Sequence, residues 1–543
     1  MKIFAVAAAC GLFFGALAAD ATTWRRETVI AGIPGGPKDV APHGLTGLSF
    51  GPDGALYVAS FVGPGIFRFD LGAGTFRLEV GGLEAAADDV AVAGDGTLAW
   101  TGLGDGKLWL RTPGDAPRAL ASGLPLINPV AFNGDKILTG QIGQSDTLLE
   151  VDPANGEVKV LARDLGGINA FQPDGRGGLW VPLAAKGAVG RVDLETGTLS
   201  IVAEGLGQPV AVKADSTGAL YAIDWQTGHV VHINPLSGET QKIATVAPPL
   251  DNLAIGPDDT IYVTRPLDNA IIAVDPVSGD QRAVVQGVLS APGGLVVTGA
   301  GDRRSLIVAD AYGTRTVDLG TGRVAMPPFD LTVNAGSMVA INDQVLALSY
   351  VRRGTVTLID RASGRARHAL GGFKAPMGLV LEADDTAVVA DYGTGELIRV
   401  RPGRDPERAT VIGGLQGPVG LAMTAAGGWI VSEADVGRVV AFETETSGRR
   451  ILAERLVQPE GIAVMADGRI AVAEVGRRRL IAITPATGDI EVIAEDLPLG
   501  AIFTRAPAPV FMPSGVAAGD EGAVYLSCDG DNTVLKFTPE PAP

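Results

Sequence analysis

Residues 45–59, LTGLSFGPDGALYVA, and residues 458–473, QPEGIAVMADGRIAVA, share one order of apolar and polar positions. Each has a small residue, an alternating apolar run, a turn at Asp-Gly, and a second apolar run. Apolar residues two apart lie on one face of a strand, and Asp-Gly tolerates the positive φ of a tight turn, so the phrase predicts two antiparallel strands. Aligned on the residue before the one that opens the first strand, the copies fall at Thr46, Asp89, Pro129, Asn169, Pro209, Asn252, Gly293, Gly336, Met377, Val419, Glu460 and Ser514. Successive positions lie 40 to 43 residues apart, except for the last interval of 54. Such a period suits four-stranded propeller blades and is too long for leucine-rich or ankyrin units. A second hairpin follows in each copy, as in IFRFDLGAGTFRLEV, LLEVDPANGEVKVLA, AVGRVDLETGTLSIVA and VVAFETETSGRRILA. No segment sustains a 3.6-residue period long enough to predict an amphipathic helix.

Twelve copies exceed the roughly four to eight blades of a single ring. The expected fold is therefore all-β: tandem β-propellers, two six-bladed rings of four-stranded antiparallel blades, the first over residues 20–280 and the second over 281–543. A five-plus-seven division is the alternative. TVIAGI at 28–33 reads as an outer strand with no partners before it, and TVLKFTPEPAP stops after a third strand. A ring sheds its unpaired edges when one terminus completes the blade begun by the other. On the six-plus-six scheme, the strand at 28–33 closes blade six, while RAVVQGV at 282–288 leads the second ring and closes its last blade.

The phrase P-x-G-[LIV]-A, seen as PEGIAV and PSGVAA, together with VADAYG and VADYGTG, resembles the NHL repeat and its gluconolactonase-type (senescence-marker-like) propeller relatives. The resemblance covers essentially the whole chain after its first residues. It implies a propeller fold; propellers host many unrelated activities, so it does not choose among them.

Composition narrows the partners. A chain of 543 residues that is 46% hydrophobic, with 75 glycines and few aromatics, fits a β protein with many turns and not a disordered one. A formal charge of −18 disfavours nucleic acid and anionic lipid, which need a basic surface. The opening MKIFAVAAACGLFFGALAAD has one Lys, an apolar run and a small-x-small signal at Ala16-Leu17-Ala18. It reads as a signal peptide over residues 1–19, giving a periplasmic or secreted protein; acylation at Cys10 is the alternative. Only Cys528 then remains, so no internal disulfide forms, and no other apolar stretch is long enough to span a membrane.

Candidate chemistry follows from blade geometry. Inner strands start at the face where the turns between second and third strands open, so residues from several blades converge there. In the first ring Asp89, Asn169 and Asn252 start alternate blades, an oxygen-donor trio suited to Ca²⁺. Asp88, Asn128 and Asp251 precede inner strands and are candidate ligand-binding residues, with Asp251-Asn252 the nearest echo of the divalent-cation sites of gluconolactonase- and paraoxonase-type propellers. Thr46, Pro209, Ala170 and Leu253 depart from that pattern. The plainer reading is that Asp and Asn cap nearby backbone amides. With a metal present, Asp224 is the candidate base and Arg265 the oxyanion partner for hydrolysis of a lactone or ester, with Trp225 and Phe61 walling the pocket. Asp224 also reads as an ordinary turn residue. His229 and His232 lack a zinc-ligand spacing.

In the second ring Glu460 is the charged inner-strand residue and a candidate ligand contact. Asp310, Asp391, Glu433 and Glu474 occupy turns as an acidic collar, or tie their own loops together. Cys528 has no identifiable His neighbour that would make it a nucleophile. The segment PLGAIFTRAPAPVFMP in the long last interval reads as a lid or contact surface. No Ser-His-Asp order, phosphate loop or CxxC pair appears, and GPGIF and GDGKLW are hairpin turns. Two functions fit: a Ca²⁺-dependent lactone or ester hydrolase in the first ring, or a non-catalytic ligand- or protein-binding scaffold of the cell envelope.

Overall fold

The computed structural model describes residues 22–63, 65–143, 145–327, 330, 336–382, 384–501 and 512–540. The expected signal peptide at 1–19 and the middle of the expected lid, residues 502–511, lie outside the described residues. Among the described residues the fold is all-β: twelve four-stranded antiparallel sheets in a propeller-like arrangement, with single-turn 3-10 segments besides. In eleven of the twelve the strands run in chain order from inner to outer edge, as in the fifth sheet, Pro209–Ala214, Leu220–Asp224, His229–Ile233 and Thr240–Thr245.

Burial explains the sequence pattern within a sheet. Second strands such as Leu220–Asp224 and Ile470–Glu474 are buried along their whole length, hence their near-continuous apolar runs. Outer strands such as Val158–Arg163 are mostly exposed. Their pairing slips by one residue, between Leu148 and Leu149 in the third sheet and between Val230 and Val231 in the fifth. Such a bulge twists the free edge and makes it a poor template for further pairing.

The twelfth sheet is the exception to chain order. It runs Trp24–Ile30, Thr533–Pro539, Val524–Cys528, Val516–Ala518, with Trp24 opposite Pro539 and Thr28 opposite Leu535. This corrects the expected closure. The N-terminal strand completes the last sheet, and Gln281–Val285 stays paired with Ala270–Val274 in the sixth. An outer-strand pattern does not encode which third strand it joins. A local hairpin across DPVSGD also costs less closure entropy than sending 281–285 to a distant sheet.

Inner strands touch in two successions. The strand Leu45–Phe50 packs against Val90–Val92, and contact passes through the third, fourth and fifth sheets to Leu253–Ile255, which again touches Leu45–Phe50. From Pro292–Thr298 a second succession runs through the eighth to eleventh sheets to Val516–Ala518, which touches Pro292–Thr298. Apolar cores follow the same neighbours. Leu48, Val58 and Phe67 of the first sheet bury against Ala254, Tyr262 and Ile271 of the sixth, and Leu295, Leu306 and Val317 of the seventh against Ala517, Tyr525 and Val534 of the twelfth. Where the two groups of sheets meet, Asn269 holds the incoming chain, accepting from Gly44 N (2.6 Å) and Leu45 N (3.1 Å) and donating to Pro42 O and Leu289 O.

Candidate functional site at the inner-strand starts

A hydroxyl on each of several second strands sets the spacing of the inner strands. Thr101 Oγ1 accepts from Asp89 N and donates to Asn128 O; Ser432 Oγ accepts from Gly420 N (2.7 Å) and donates to Glu460 O (2.6 Å); Ser527 Oγ accepts from Gly515 N (2.7 Å) and donates to Gly293 O (2.6 Å). One hydroxyl thus ties its own inner strand to that of the next sheet, and brings the residues preceding those strands into one layer. The recurrent Ser or Thr late in the second strand, as in LAWTG, WIVSE and VYLSC, is the sequence signal for it.

In the first six sheets this layer is acidic. Asp89 is buried, and its carboxylate accepts from Val90 N, Val130 N and Asn252 Nδ2, each at 3.0 Å. Second and sixth sheets therefore meet directly, over Gly47, where a Cβ would stand 2.3 Å from Asp89 Oδ1. Burial raises the Asp89 carboxyl above its ordinary value, opposed by the Lys213 ammonium and by these donors. Burial in turn lowers Lys213, opposed by Asp89. The Lys213 ammonium donates to Phe171 O at 2.7 Å.

Asp88 and Asp251 differ from Asp89. Burial, then Asp251 and Asp89, push the Asp88 carboxyl well above the carboxylate range, and burial with Asp89 brings Asp251 to about 7. Neither carboxylate makes a hydrogen bond among the described residues, and neither does the side-chain amide of Asn128, which is 8% exposed. Asn128 holds on the third sheet the position that Asp88 holds on the second and Asp251 on the sixth.

Of the expected oxygen-donor trio, the structure joins Asp89 and Asn252 and leaves Asn169 apart. Asn252 Oδ1 accepts from Leu253 N (2.8 Å) and Asn169 Oδ1 from Ala170 N (2.9 Å), so both amide oxygens cap their own strands. Among the described residues no group of three or more His, Cys, Asp and Glu side chains is placed to hold a metal ion. Among the described residues the side chains of Asp88, Asp251 and Asn128, and Thr46 Oγ1, are those of this layer that make no hydrogen bond.

Asp224 sits 3% exposed at the end of its second strand. It accepts from Gln208 N (2.6 Å), Gln226 N (2.9 Å) and Thr227 N (2.6 Å). Burial works upward on this carboxyl, and the amide donors outweigh it, holding it below its ordinary value. Arg265 pairs with Asp268 at 3.2 Å, and among the described residues neither a hydrogen bond nor an ion pair joins it to Asp224. Trp225 is half-buried and its backbone bridges Gln208 and Leu250. Phe61 packs with Val62, Ala291, Ala311 and Met512 where the first and seventh sheets meet.

The acidic collar is a set of clamps. Asp310 takes Ser290 N and Ala291 N, Asp391 takes Lys374 N and Ala375 N, Glu433 takes Gln416 N, and Glu474 takes Val457 N. Asp529 does the same for Gly500 N and Ala501 N. In each case a carboxylate at or just past the end of the second strand holds the segment leading into its own sheet. Glu460 accepts from Ser514 N (2.6 Å) and Gln458 Nε2 (2.7 Å), and burial, then Asp529, push it to about 8. Cys528 is fully buried, and burial raises its thiol well above the usual range.

No family model matches the chain. No curated protein matches it either. Among solved structures it is similar to a streptogramin B lyase, with 11% identity, TM-score 0.27, and coverage of 49% of this chain and 90% of that one. It is also similar to two extracellular domains from B. thetaiotaomicron. One is described as part of a one-component system (12% identity, TM-score 0.34, covering 91% of this chain and 74% of that one). The other is described as part of a hybrid two-component system (9% identity, TM-score 0.34, covering 96% and 83%).

The residue that sequence reasoning passed over is Lys213. It interrupts the inner strand PVAVKA, and a charged side chain in an otherwise apolar inner strand is its signal. Asp89, whose charge opposes the effect of burial on it, lies far away in the chain, and no local pattern links the two.

Proposed function

We propose that the chain is an exported binding protein of the cell envelope, built as two six-bladed propellers of the NHL and gluconolactonase type. Its first ring would hold a hard divalent cation, Ca²⁺ foremost, on Asp88, Asp251 and Asn128. The two closed successions of inner-strand contact support the pair of rings, with the N-terminal strand lent to the second. One observation carries the functional reading. Asp89, Asp224, Asp310, Asp391, Glu433, Glu460, Glu474 and Asp529 all accept backbone N–H groups, whereas the neighbouring Asp88 and Asp251 accept none among the described residues. A buried Asp88 carboxyl beside Asp251, and a partly buried Asp251 beside Asp89, each raised by burial and then by the neighbouring carboxylate and neither accepting an N–H group, are costly unless a cation joins them. Carboxylate and amide oxygens are the donors that Ca²⁺ prefers.

An ion held by Asp88, Asp251 and Asn128 would supply charge neutralisation and Lewis acidity there. Asp89 and Asn252 then position the layer through their mutual hydrogen bond, and do not serve as its free donors. Binding is favoured over turnover because the amide bonds of Asp224 lower its basicity and Arg265 is paired away from it. Hydrolysis of a lactone or ester is the second reading, favoured by the Asp251 carboxyl near 7, a value suited to a general base. Calorimetric titration of the purified protein with CaCl2, alongside Asp88→Asn/Asp251→Asn, tests the binding reading. Heat from the parent and none from the double variant is expected; no heat from either overturns it. Turnover of an aryl-ester or lactone panel that is lost in Asp251→Asn would move the assignment to hydrolysis.

A further inference from the structure

We propose that the second ring positions the cation layer of the first, by holding the segment 42–47 that carries the first inner strand into that layer. The proposal rests on the cation-binding reading above and adds to it the positioning residue, Asn532. This side chain lies in the turn after the second strand of the twelfth sheet and is 1% exposed. Its Nδ2 donates to Pro42 O at 2.8 Å, and its Oδ1 lies 2.7 Å from His43 Nδ1. His43 Nδ1 also lies 3.0 Å from Ser290 O. Both neighbours are acceptors, so Nδ1 carries the proton and donates to each. Tyr312 of the seventh sheet presses on the same segment, since a Cβ on Gly44 would stand 2.8 Å from its Cε2.

The first ring grips the segment as well. Ser60 Oγ accepts from His43 N at 2.7 Å, and the fully buried Asn269 shares Pro42 O with Asn532 while accepting from Gly44 N and Leu45 N. Two buried asparagines, one from each ring, thus converge on one carbonyl. Buried polar groups that are bonded in this way admit little displacement. The segment then runs straight into the layer. Gly47 N donates to Asp88 O at 2.9 Å, and a Cβ on Gly47 would stand 2.3 Å from Asp89 Oδ1, the oxygen that Asn252 Nδ2 binds. The first sheet lies between the sheets of Asp88 and Asp251, so a shift of residues 42–47 alters the spacing of those two carboxylates. Outer partners of metal ligands are worth about 10–100-fold in affinity, and Asn532, acting from further out, is expected to be worth about tenfold.

Two measurements on the full chain decide the matter. In CaCl2 calorimetry Asn532→Ala is expected to bind about tenfold more weakly than the parent. Asn532→Asp, which keeps the acceptor for His43 and loses the donor to Pro42 O, is expected to fall between them. Ser432→Ala, which loosens the second ring at its tenth and eleventh sheets, away from residues 42–47, is expected to match the parent. In EDTA, residue-resolved hydrogen exchange is expected to show the Gly47 amide losing protection in Asn532→Ala and keeping it in Ser432→Ala. Equal Ca²⁺ affinity in the parent and Asn532→Ala, or an equal loss in Ser432→Ala, overturns the positioning role. If no protein binds Ca²⁺, the cation reading fails and exchange alone judges the hold on the layer, which an unchanged Gly47 amide overturns. Should Asn532→Ala not fold, Asn532→Asp carries the same comparisons.

Discussion

Replacing Asp224 by Ala separates a structural carboxylate from a catalytic one. The side chain takes three backbone N–H groups, from Gln208, Gln226 and Thr227, and so fastens the segment leading into the fifth sheet to its own turn. The approach is close: a Cβ on Gly207, itself at φ +74°, would lie 2.2 Å from Asp224 Oδ2. A hydrogen bond to a charged acceptor is worth about 1.5–3 kcal/mol, and water reaching the vacated turn recovers part of three of them, which leaves a cost of roughly 3–5 kcal/mol. Asp224→Asn keeps one oxygen and should cost about half as much. The carboxyl's folded pKa is depressed, so its contribution is present above the unfolded value near 3.8 and is lost as pH falls through the folded one. The gap between parent and variant should therefore be full at pH 7 and close under acid. Urea denaturation followed by hydrogen exchange over residues 205–228 reads the effect, with the Gln208 and Thr227 amides losing protection first. A variant with the parent's urea midpoint and protection, but without turnover of an ester substrate, would refute the clamp and restore Asp224 as a base.

Other features can be tested in the same way. Removing residues 22–30 should expose the edge strand Thr533–Pro539 and deprotect the twelfth sheet while leaving the sixth intact, as hydrogen exchange would show. Gly461→Ala would place a Cβ 2.2 Å from Ser514 O and should lower stability by about 3 kcal/mol in urea melts. The Glu460 carboxyl is raised to about 8, so its contribution is full below its unfolded value and is lost as pH rises through 8. Glu460→Gln should accordingly flatten the fall in melting temperature between pH 6 and pH 9. Cys528 should react with a thiol reagent only after unfolding, since burial removes both access and thiolate.

The repeat and its strand order were legible because they are local: alternation and turn glycines fix each hairpin without reference to the rest of the chain. Which sheet the N-terminal strand joins was not legible. TVIAGI and TVIGGL are interchangeable as outer strands, and only the missing fourth partner of Thr533–Pro539 settles which sheet receives the N-terminal one. The candidate site was half legible. Asp89, Asn252, Asp88 and Asp251 do share one layer, but residue type could not distinguish carboxylates that cap amides from those that lack donors. That distinction depends on the backbone N–H groups of other sheets, such as Val130 N on Asp89.

The glycine in P-x-G, read first as a family signature, carries a physical difference between the two halves. In the later sheets the residue after the aligned start is Gly294, Gly378, Gly420, Gly461 or Gly515, with Ser337 the exception. A Cβ on Gly378, Gly420, Gly461 or Gly515 would fall 2.2 to 2.5 Å from a carbonyl oxygen of the next inner strand, so backbone meets backbone there. In the earlier sheets the same position holds Gly47, Val90, Val130, Ala170, Val210 and Leu253. Side chains at five of these six positions replace glycine's close approach, and the one glycine marks where Asp89 crosses to Asn252. Backbone-tight starts leave Glu460 as the charged inner-strand residue of the later half, with both carboxylate oxygens taken by Gln458 and Ser514. Starts lined by side chains leave the earlier half with Asp88 and Asp251, which accept no N–H group among the described residues, beside Asp89, and that is why binding is assigned to that half.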